Sequence, residues 1–296
     1  MLIAVVCICG AVVAVAVGWV MWVCLRPMTF CLTFDDGFKA HAEIAGPMLR
    51  QRGWVGAFNV PTSVIGGGRL TSGQVADLCL VGNEDRRMTW DDVRNLLKAG
   101  HEVYPHTCDH ADLPTLERAK QTRELDRQVA EAKQTFIEQT GVVPRYFCLP
   151  HDSCTPTVEA LIRRYGMEPF SHSRQNFGRV WGDGLSLRDV TSFMLSRFGC
   201  GERHVDIMIH GIDRAQGGWM PFEDVADFIR FLDEIAAVEK TGKIRAVSYS
   251  SAYSPHGQTS SFIRRYQLLA DKTRRAYFKL LKRRKVERNR LDDGRA

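Results

Sequence analysis

The sequence predicts an α/β protein, a parallel (β/α) barrel of about seven strands with an apolar segment before it and a basic segment after it. The chain of 296 residues is long enough for a full hydrophobic core with appendages. Its composition, 45% apolar and 25% charged, is that of a folded globular protein and excludes disordered and fibrous classes. Short apolar runs alternate with amphipathic segments, which is typical of parallel sheets, and about seven repeats fit a closed barrel better than an open sheet.

The strands are predicted from apolar runs that are rich in β-branched and aromatic residues. They are expected at residues 28–34, 54–60, 101–105, 146–149, 205–209 and 244–248. Helical spacing of apolar residues predicts helices at 90–97, at 116–140, from 156 onwards and at 222–238. The alternation of the two kinds of segment carries the prediction of a parallel sheet.

Capping residues mark the ends of these helices. Thr89, with Asp92 three residues later, predicts a capping box. Thr115 is the predicted N-cap of helix 116–140, and Gly141 ends that helix. Thr155 followed by a proline begins the next helix.

The N-terminal segment, residues 1–26, is predicted to be a transmembrane anchor. Its first 25 residues carry no charged side chain, and about 20 apolar residues suffice to cross a bilayer as a helix. The alternative is a secretory signal cut after Ala14-Val15-Ala16. Such a cut would leave the apolar residues 17–25 on the product, and no Lys or Arg precedes the run. We therefore expect a single-pass membrane protein with a body at 27–255.

The C-terminal segment, residues 256–296, is predicted to be a basic, partly amphipathic helical tail. From Ser261 onwards the chain carries 13 Lys/Arg and 4 Asp/Glu, whereas the preceding residues carry 27 and 30. One interpretation is a helix that contacts anionic lipid beside the anchor, and the other is a solvated tail. Nucleic acid is not expected as a partner, because no binding motif accompanies the charge.

The first chemical motif, Asp35-Asp36-Gly37, follows the strand at 28–34. Adjacent carboxylates repel each other unless a cation or a proton lies between them, and Gly37 allows the backbone to turn. Taken alone, the motif also fits an ordinary turn.

Two histidine motifs follow later strands of the predicted sheet. His106 and His110 are four residues apart, a spacing at which two imidazoles can reach one ion such as zinc. His210 follows the apolar run 205–209. The C-terminal ends of the strands of an α/β barrel carry its active site, so these motifs are expected to meet.

Together the motifs resemble those of the polysaccharide deacetylase superfamily (carbohydrate esterase family 4, with the NodB-like homology domain). The resemblance spans about residues 29–253 and includes Met88-Thr89-Trp90-Asp91-Asp92 and Gly100-His101-Glu102-Val103. It implies a deformed (β/α) barrel as the catalytic domain at 27–255.

The resemblance also implies roles for the motif residues. Asp36, His106 and His110 are implied as ligands of a divalent metal, for which we expect zinc. Asp35 is implied as the general base that takes a proton from the attacking water, and His210 as the acid that protonates the departing amine. Ile207 is implied to line the pocket for the acetyl methyl group.

One segment departs from the family pattern. Cys148-Leu149-Pro150-His151 stands where many members carry Arg-x-Pro-Tyr, so the arginine that usually pairs with the catalytic aspartate is missing. Pro150 is retained, and the backbone N–H of His151 is a candidate oxyanion donor. Arg188 is a candidate replacement for the missing cation. Trp181 is either a wall of the sugar site or a core residue.

The predicted activity is metal-dependent hydrolysis of a carbon–nitrogen amide bond, with N-deacetylation of an amino sugar in a polysaccharide or lipid-linked glycan as the leading hypothesis. The alternatives are a deformylase or other hydrolase of a non-polymeric amide, and a non-catalytic member that binds glycan or membrane. The side of the membrane is left open. Arg26 and the basic tail favour a cytoplasmic body, and the family's usual substrates favour the outside.

Overall fold

The computed structural model of the chain describes residues 27–66, 86–170, 174–176, 204–218 and 222–253. The described residues up to Ala252 belong to one compact unit, and Tyr253 is the first residue of a second unit. The predicted anchor at 1–26 and the basic tail at 256–296 lie outside the described residues. Within the described ranges, no helix combines the length and the apolar character that a membrane span requires.

The described part contains eight strands, and every strand pairing in it is parallel. The strands are β1 (Met28–Phe34), β2 (Gly56–Val60), β3 (Glu102–Pro105), β4 (Tyr146–Phe147), β5 (Glu168–Pro169), β6 (Arg174–Asn176), β7 (His204–Ile209) and β8 (Ile244–Ala246). The main sheet has the order β3-β2-β1-β7-β6, with β8 paired to the first half of β1. β4 and β5 form a separate pair. The α/β class with a parallel sheet is therefore confirmed.

The two sheets are linked by one backbone hydrogen bond. The Cys148 N–H donates to the Pro105 carbonyl over 3.0 Å, which places β4 beside the end of β3. The strand sequence thus runs from β6 through β1 and β3 to β5. No pairing between β5 and β6 is present in the described ranges, so the closed barrel stays a prediction. The sequence does not predict β5 and β6, since runs of two or three residues carry no periodicity.

Helices connect the strands, and residues from several of them pack against one face of the main sheet. They are α1 (Gly46–Gln51), α2 (Trp90–Lys98), α3 (Leu113–Arg118), α4 (Thr122–Thr140), α5 (Pro156–Arg164), α6 (Val225–Lys240) and α7 (Tyr249–Ala252). A π-helical turn, His41–Ala45, precedes α1. The capping box of α2 is confirmed, because the Asp92 N–H donates to Thr89 Oγ1 over 3.2 Å and the Thr89 N–H donates to Asp92 Oδ2 over 2.7 Å.

The single helix predicted at 116–140 is wrong, because the chain breaks between α3 and α4. Lys120 has a φ of 58°, which helix geometry does not allow. The Lys120 N–H instead donates to the Glu117 carbonyl, and the Gln121 N–H donates to the Leu116 carbonyl, which closes the turn. The N-cap of α3 is Asp112, and Thr115 lies inside the helix. No glycine or proline interrupts residues 116–140, so the sequence did not reveal the break.

The two faces of the main sheet differ in character. Side chains alternate between faces along a strand. On β1, Phe30, Leu32 and Phe34 join the apolar cluster beneath the helices, as do Val205, Ile207 and Ile209 on β7. The opposite face carries polar side chains, namely Thr29, Cys31, Thr33, Asn59, His204 and Asp206, and we call it the polar face. The helix-covered face therefore contributes to the apolar cluster, and the polar face carries side chains that can form hydrogen bonds or bind ions.

His101 joins the loop before β3 to two other segments and predicts a pH dependence of stability. Its Nδ1 accepts from the Gly56 N–H over 3.2 Å, and its Nε2–H donates to the Gly46 carbonyl over 3.0 Å. Burial lowers the pKa of His101 below its ordinary value of 6.5. The unfolded chain therefore takes up protons first as the pH falls, and the stability contributed by neutral His101 is lost as the pH drops below 6.5 towards the folded-state pKa.

Above about pH 7 we expect His101→Gln to lower the free energy of unfolding. Between about pH 7 and pH 5 we expect the free energy of unfolding to decline less in this variant than in the wild type. Urea unfolding of both proteins at several pH values measures the effect. A difference in free energy that stays constant across this range would contradict the assigned role.

Candidate active site

Asp36, His106 and His110 converge at the C-terminal ends of β1 and β3. The Nε2 atoms of His106 and His110 lie 3.6 Å and 3.2 Å from Asp36 Oδ1. One ligand atom from each residue lies within 4.8 Å of the other two. All three side chains are buried. The three residues predicted as metal ligands are thus brought together.

Backbone geometry in the two loops aims these side chains. Asp36 has a φ of 75°, Thr107 of 61° and His110 of 67°, values that residues other than glycine adopt rarely. The next residue, Gly37, has a φ of 69°, and a Cβ there would lie 2.8 Å from Ile65 Cγ2. Such conformations cost free energy and cluster at functional sites. The strained turns after β1 and β3 are therefore a second sign of a functional site.

A hydrogen bond fixes the tautomer of His106. Its Nδ1 lies 3.2 Å from the carbonyl oxygen of Cys148, which can only accept. Nδ1 therefore carries the proton, and the lone pair of Nε2 points towards Asp36. This arrangement is the usual outer-shell support of a metal-binding histidine.

Electrostatics keep Asp36 ionised. Burial acts to raise the pKa of this carboxyl, but the imidazoles of His210 and His110 outweigh it and hold the pKa well below its usual range. Oδ1 of Asp36 is buried without a hydrogen-bond partner in the described part of the chain. A buried carboxylate oxygen that faces two imidazole nitrogens matches the donor set of a divalent transition metal. The residues present therefore fit the metal that the sequence predicts.

Asp35 is held by a residue that the sequence analysis did not single out. The Asn59 side-chain amide, on β2, donates to Asp35 Oδ1 over 2.6 Å. Asn59 is fully buried. The Cys148 thiol lies near the same carboxylate, within 4.8 Å between ligand atoms. In the sequence, the signal for Asn59 is a single amide side chain near the end of an otherwise apolar strand.

His210 lies across the site from the histidine pair. Its Nε2 is 4.0 Å from Asp36 Oδ2, and its side chain is about one-eighth exposed, at 12%. The buried His41, in the π-helical turn, donates its Nε2–H to the His210 carbonyl. Burial lowers the pKa of His41 to about 4, so this ring is neutral. π-Helical turns often occur at functional sites, and this one holds the backbone that presents His210.

The remaining predicted site residues have different placements. The ring of His151 lies 5.1 Å from that of His110, and Pro150 is buried beside it. Ile207 is fully buried in the apolar cluster beneath the helices, on the face of β7 opposite the polar face. The pocket-lining role of Ile207 stays a prediction. The alternation of side chains along β7 makes Met208 the neighbour that shares the face of Asp206. Trp181 and Arg188 lie outside the described residues.

Gln128 supports the loop that carries both histidines. This buried residue of α4 accepts at Oε1 from the Cys108 N–H over 3.1 Å and donates from Nε2 to Asp109 Oδ1 over 2.6 Å. The loop from His106 to His110 is therefore attached to α4 by a side chain that satisfies its backbone. Gln128 follows Leu125 by three residues on the apolar side of α4, and a polar residue in that position was the signal for it.

The fold and the site define an α/β protein with a buried Asp-His-His centre of metal-ligating type. The sequence pattern of the polysaccharide deacetylase family matches residues 23–170. The chain belongs to the polysaccharide deacetylase family.

The chain is also similar to two known proteins. A chitin deacetylase of Pestalotiopsis sp is 29% identical over 140 residues, which are 47% of this chain and 40% of the relative. The chain therefore matches less than half the length of that relative. The structure of the chitin deacetylase of Colletotrichum lindemuthianum is similar with a TM-score of 0.53 and 17% identity, over 80% of this chain and 94% of the other. That similarity supports the fold.

We expect Gln128→Leu to weaken zinc binding by about 10- to 100-fold, the usual effect of losing support around metal ligands. Competition with a chromophoric chelator measures the affinity. Gln134→Leu is the matched control, because Gln134 is exposed on the same helix. Equal affinities for the two variants, with both proteins folded, would contradict the role of Gln128.

Proposed function

We propose that the protein hydrolyses a carbon–nitrogen amide bond and removes the N-acetyl group from an amino sugar in a polysaccharide or lipid-linked glycan. The observation that carries the proposal is the convergence of Asp36, His106 and His110, with Asp35 and His210 beside them. The family to which the chain belongs supports the same reaction. Zinc at the three ligands would polarise the amide carbonyl and lower the pKa of a water molecule.

Asp35 is the proposed general base. Its carboxylate takes a proton from the water as the water oxygen adds to the acetyl carbonyl carbon. The Asn59 amide holds one oxygen of this carboxylate in place. Asn59 therefore does the positioning for which many family members use an arginine. Arg188 stays a second hypothesis for that role.

His210 is the proposed general acid. The carbon–nitrogen bond breaks as His210 gives a proton to the amine nitrogen, and acetate and the free amino sugar leave. The hydrogen bond from His41 to the His210 carbonyl holds the loop that carries this acid. The partly exposed side chain of His210 can meet a substrate that enters from solvent. The backbone N–H of His151 is the proposed oxyanion donor.

Two alternatives use the same residues differently. A deformylase or another hydrolase of a non-polymeric amide would share the centre, and Cys148 and His151 make the pocket unusual for the family. A non-catalytic glycan-binding member is the other alternative, and the retention of all five site residues argues against it. Assays for acetate release from chitin oligomers and for formate release from N-formyl sugars separate the proposed deacetylase from a deformylase. A purified protein that binds no metal and releases neither acid would support the non-catalytic alternative.

We further propose a location and an arrangement of parts. Residues 1–26 anchor the chain as a single-pass membrane protein, residues 27–255 form the catalytic domain with its strands closed into a deformed barrel, and the tail at 256–296 contacts anionic lipid. The supports are the uncharged first 25 residues and the 13 basic residues after Ser260. A reporter fused to the C-terminus would identify the side of the membrane on which the body lies.

We expect Asp35→Asn to retain bound metal and to lose deacetylation by about 100-fold or more, because the amide cannot accept the proton. Asp36→Asn is expected to lose the metal, because a carboxylate ligand is replaced by a neutral amide. Metal analysis and acetate release are measured on both proteins. Metal loss in Asp35→Asn with retention in Asp36→Asn would reverse the two assignments.

We expect Asn59→Ala to lower kcat by about 10- to 100-fold while metal content stays unchanged. The variant loses one hydrogen bond to a carboxylate, worth about 1.5–3 kcal/mol. The exposed Asn95 provides the control Asn95→Ala. The idea fails if Asn59→Ala is folded, binds metal and turns over at the rate of the control.

A further inference from the structure

A second group of metal-ligating side chains lies on the polar face, away from the proposed catalytic centre. Cys31 on β1 and His204 and Asp206 on β7 each offer a ligand atom, and these atoms lie within 4.8 Å of one another. The register of β1 and β7 brings these residues together, since it pairs Cys31 with Asp206 and Thr29 with His204. Asp206 and Cys31 are buried, and His204 is partly exposed.

The contacts of the group converge on one atom. Cys31 Sγ lies 2.9 Å and His204 Nε2 lies 2.7 Å from the same oxygen, Oδ1 of Asp206. Sulfur, nitrogen and oxygen ligands therefore point to a common position. A thiolate, an imidazole and a carboxylate are the three ligand types that zinc uses in proteins.

The outer contact of His204 suits a metal ligand. Thr29 Oγ1 lies 2.8 Å from His204 Nδ1, and a hydroxyl can either donate or accept there. The imidazole can therefore carry its proton on Nδ1 and offer the Nε2 lone pair to an ion. A hydrogen bond to the second ring nitrogen is the usual support of a metal-binding histidine. The partly exposed His204 provides a route of entry from solvent.

This group cannot share an ion with the proposed catalytic centre. Cys31 and Asp35 are four residues apart along β1 and the residue that follows it, which corresponds to about 13 Å. The first group lies at the middle of β1, whereas the proposed catalytic centre lies beyond the C-terminal end of this strand. None of the three residues takes part in the reaction proposed above.

We propose that Cys31, His204 and Asp206 form a second binding site for a thiolate-preferring divalent metal such as zinc, with Thr29 as its outer-shell support. The ion joins the middle of β1 to the N-terminal half of β7. The site carries a sulfur ligand, whereas the Asp-His-His centre does not. This difference makes the two sites separable by spectroscopy.

The test uses the full chain, stripped of metal and titrated with Co²⁺ under reducing conditions. The wild type is expected to bind one more ion than Cys31→Ser and to show thiolate-to-cobalt charge-transfer absorption in the near ultraviolet. Cys31→Ser loses this absorption. Asp36→Asn keeps it, so loss of the catalytic centre and loss of the second site are read separately.

Three further variants complete the test. Cys148→Ser and Cys154→Ser control for the thiol near Asp35 and for a thiol away from both groups, and both are expected to keep the absorption. His204→Gln, a change at a partly exposed side chain, covers the case in which Cys31→Ser does not fold. It should weaken cobalt binding at this site by more than about tenfold.

The proposal is overturned if folded Cys31→Ser retains both the absorption and the wild-type stoichiometry. It is also overturned if Cys148→Ser abolishes the absorption, or if His204→Gln binds cobalt as the wild type does. Absence of acetate release from the wild type, with the second site loaded, would count against the proposed function alone.

Discussion

Much of this structure depends on the burial of one ionised carboxylate. Asp36 is removed from water, and the imidazoles that face it hold its pKa well below the ordinary range. An isolated buried charge would be prohibitively unfavourable, so the site is stable only with cationic or metal compensation. The positive φ angles after β1 and β3 and the attachment of the histidine loop to α4 both serve this arrangement. The local strain is acceptable because the surrounding core determines the backbone.

The two faces of the main sheet differ in role: one packs in the apolar cluster, and the other carries residues of the candidate sites. Large apolar side chains of β1, β2 and β7 pack beneath the helices and provide the hydrophobic stabilisation. The polar face carries Asn59 near the catalytic end, and it carries the group around Asp206 at the middle of β1 and the first half of β7. A strand with such alternating character cannot shift its register by one residue without burying polar groups in the core. The same register therefore fixes the fold and both candidate sites.

The departure at Cys148 changes how the proposed base is held. The neutral amide of Asn59 contacts Asp35, and the Cys148 carbonyl orients His106. The backbone at this position thus keeps a supporting role although the side chain differs. Asp35 is consequently supported from β2, and His106 is supported by the residue that follows β4.

The sequence by itself determined the family, the α/β class, the bounds of β1 and the residues of the candidate metal centre, because these depend on local patterns and on motif spacing. It did not determine the break at Lys120, the role of Asn59 or the attachment through Gln128. Those features depend on which segments lie side by side after folding. The alternation of side chains along β7 follows from the sequence, and it places Ile207 on the face opposite the polar face. Only the tertiary structure brought Cys31, on β1, to His204 and Asp206, since their contact follows from the pairing of strands more than 170 residues apart.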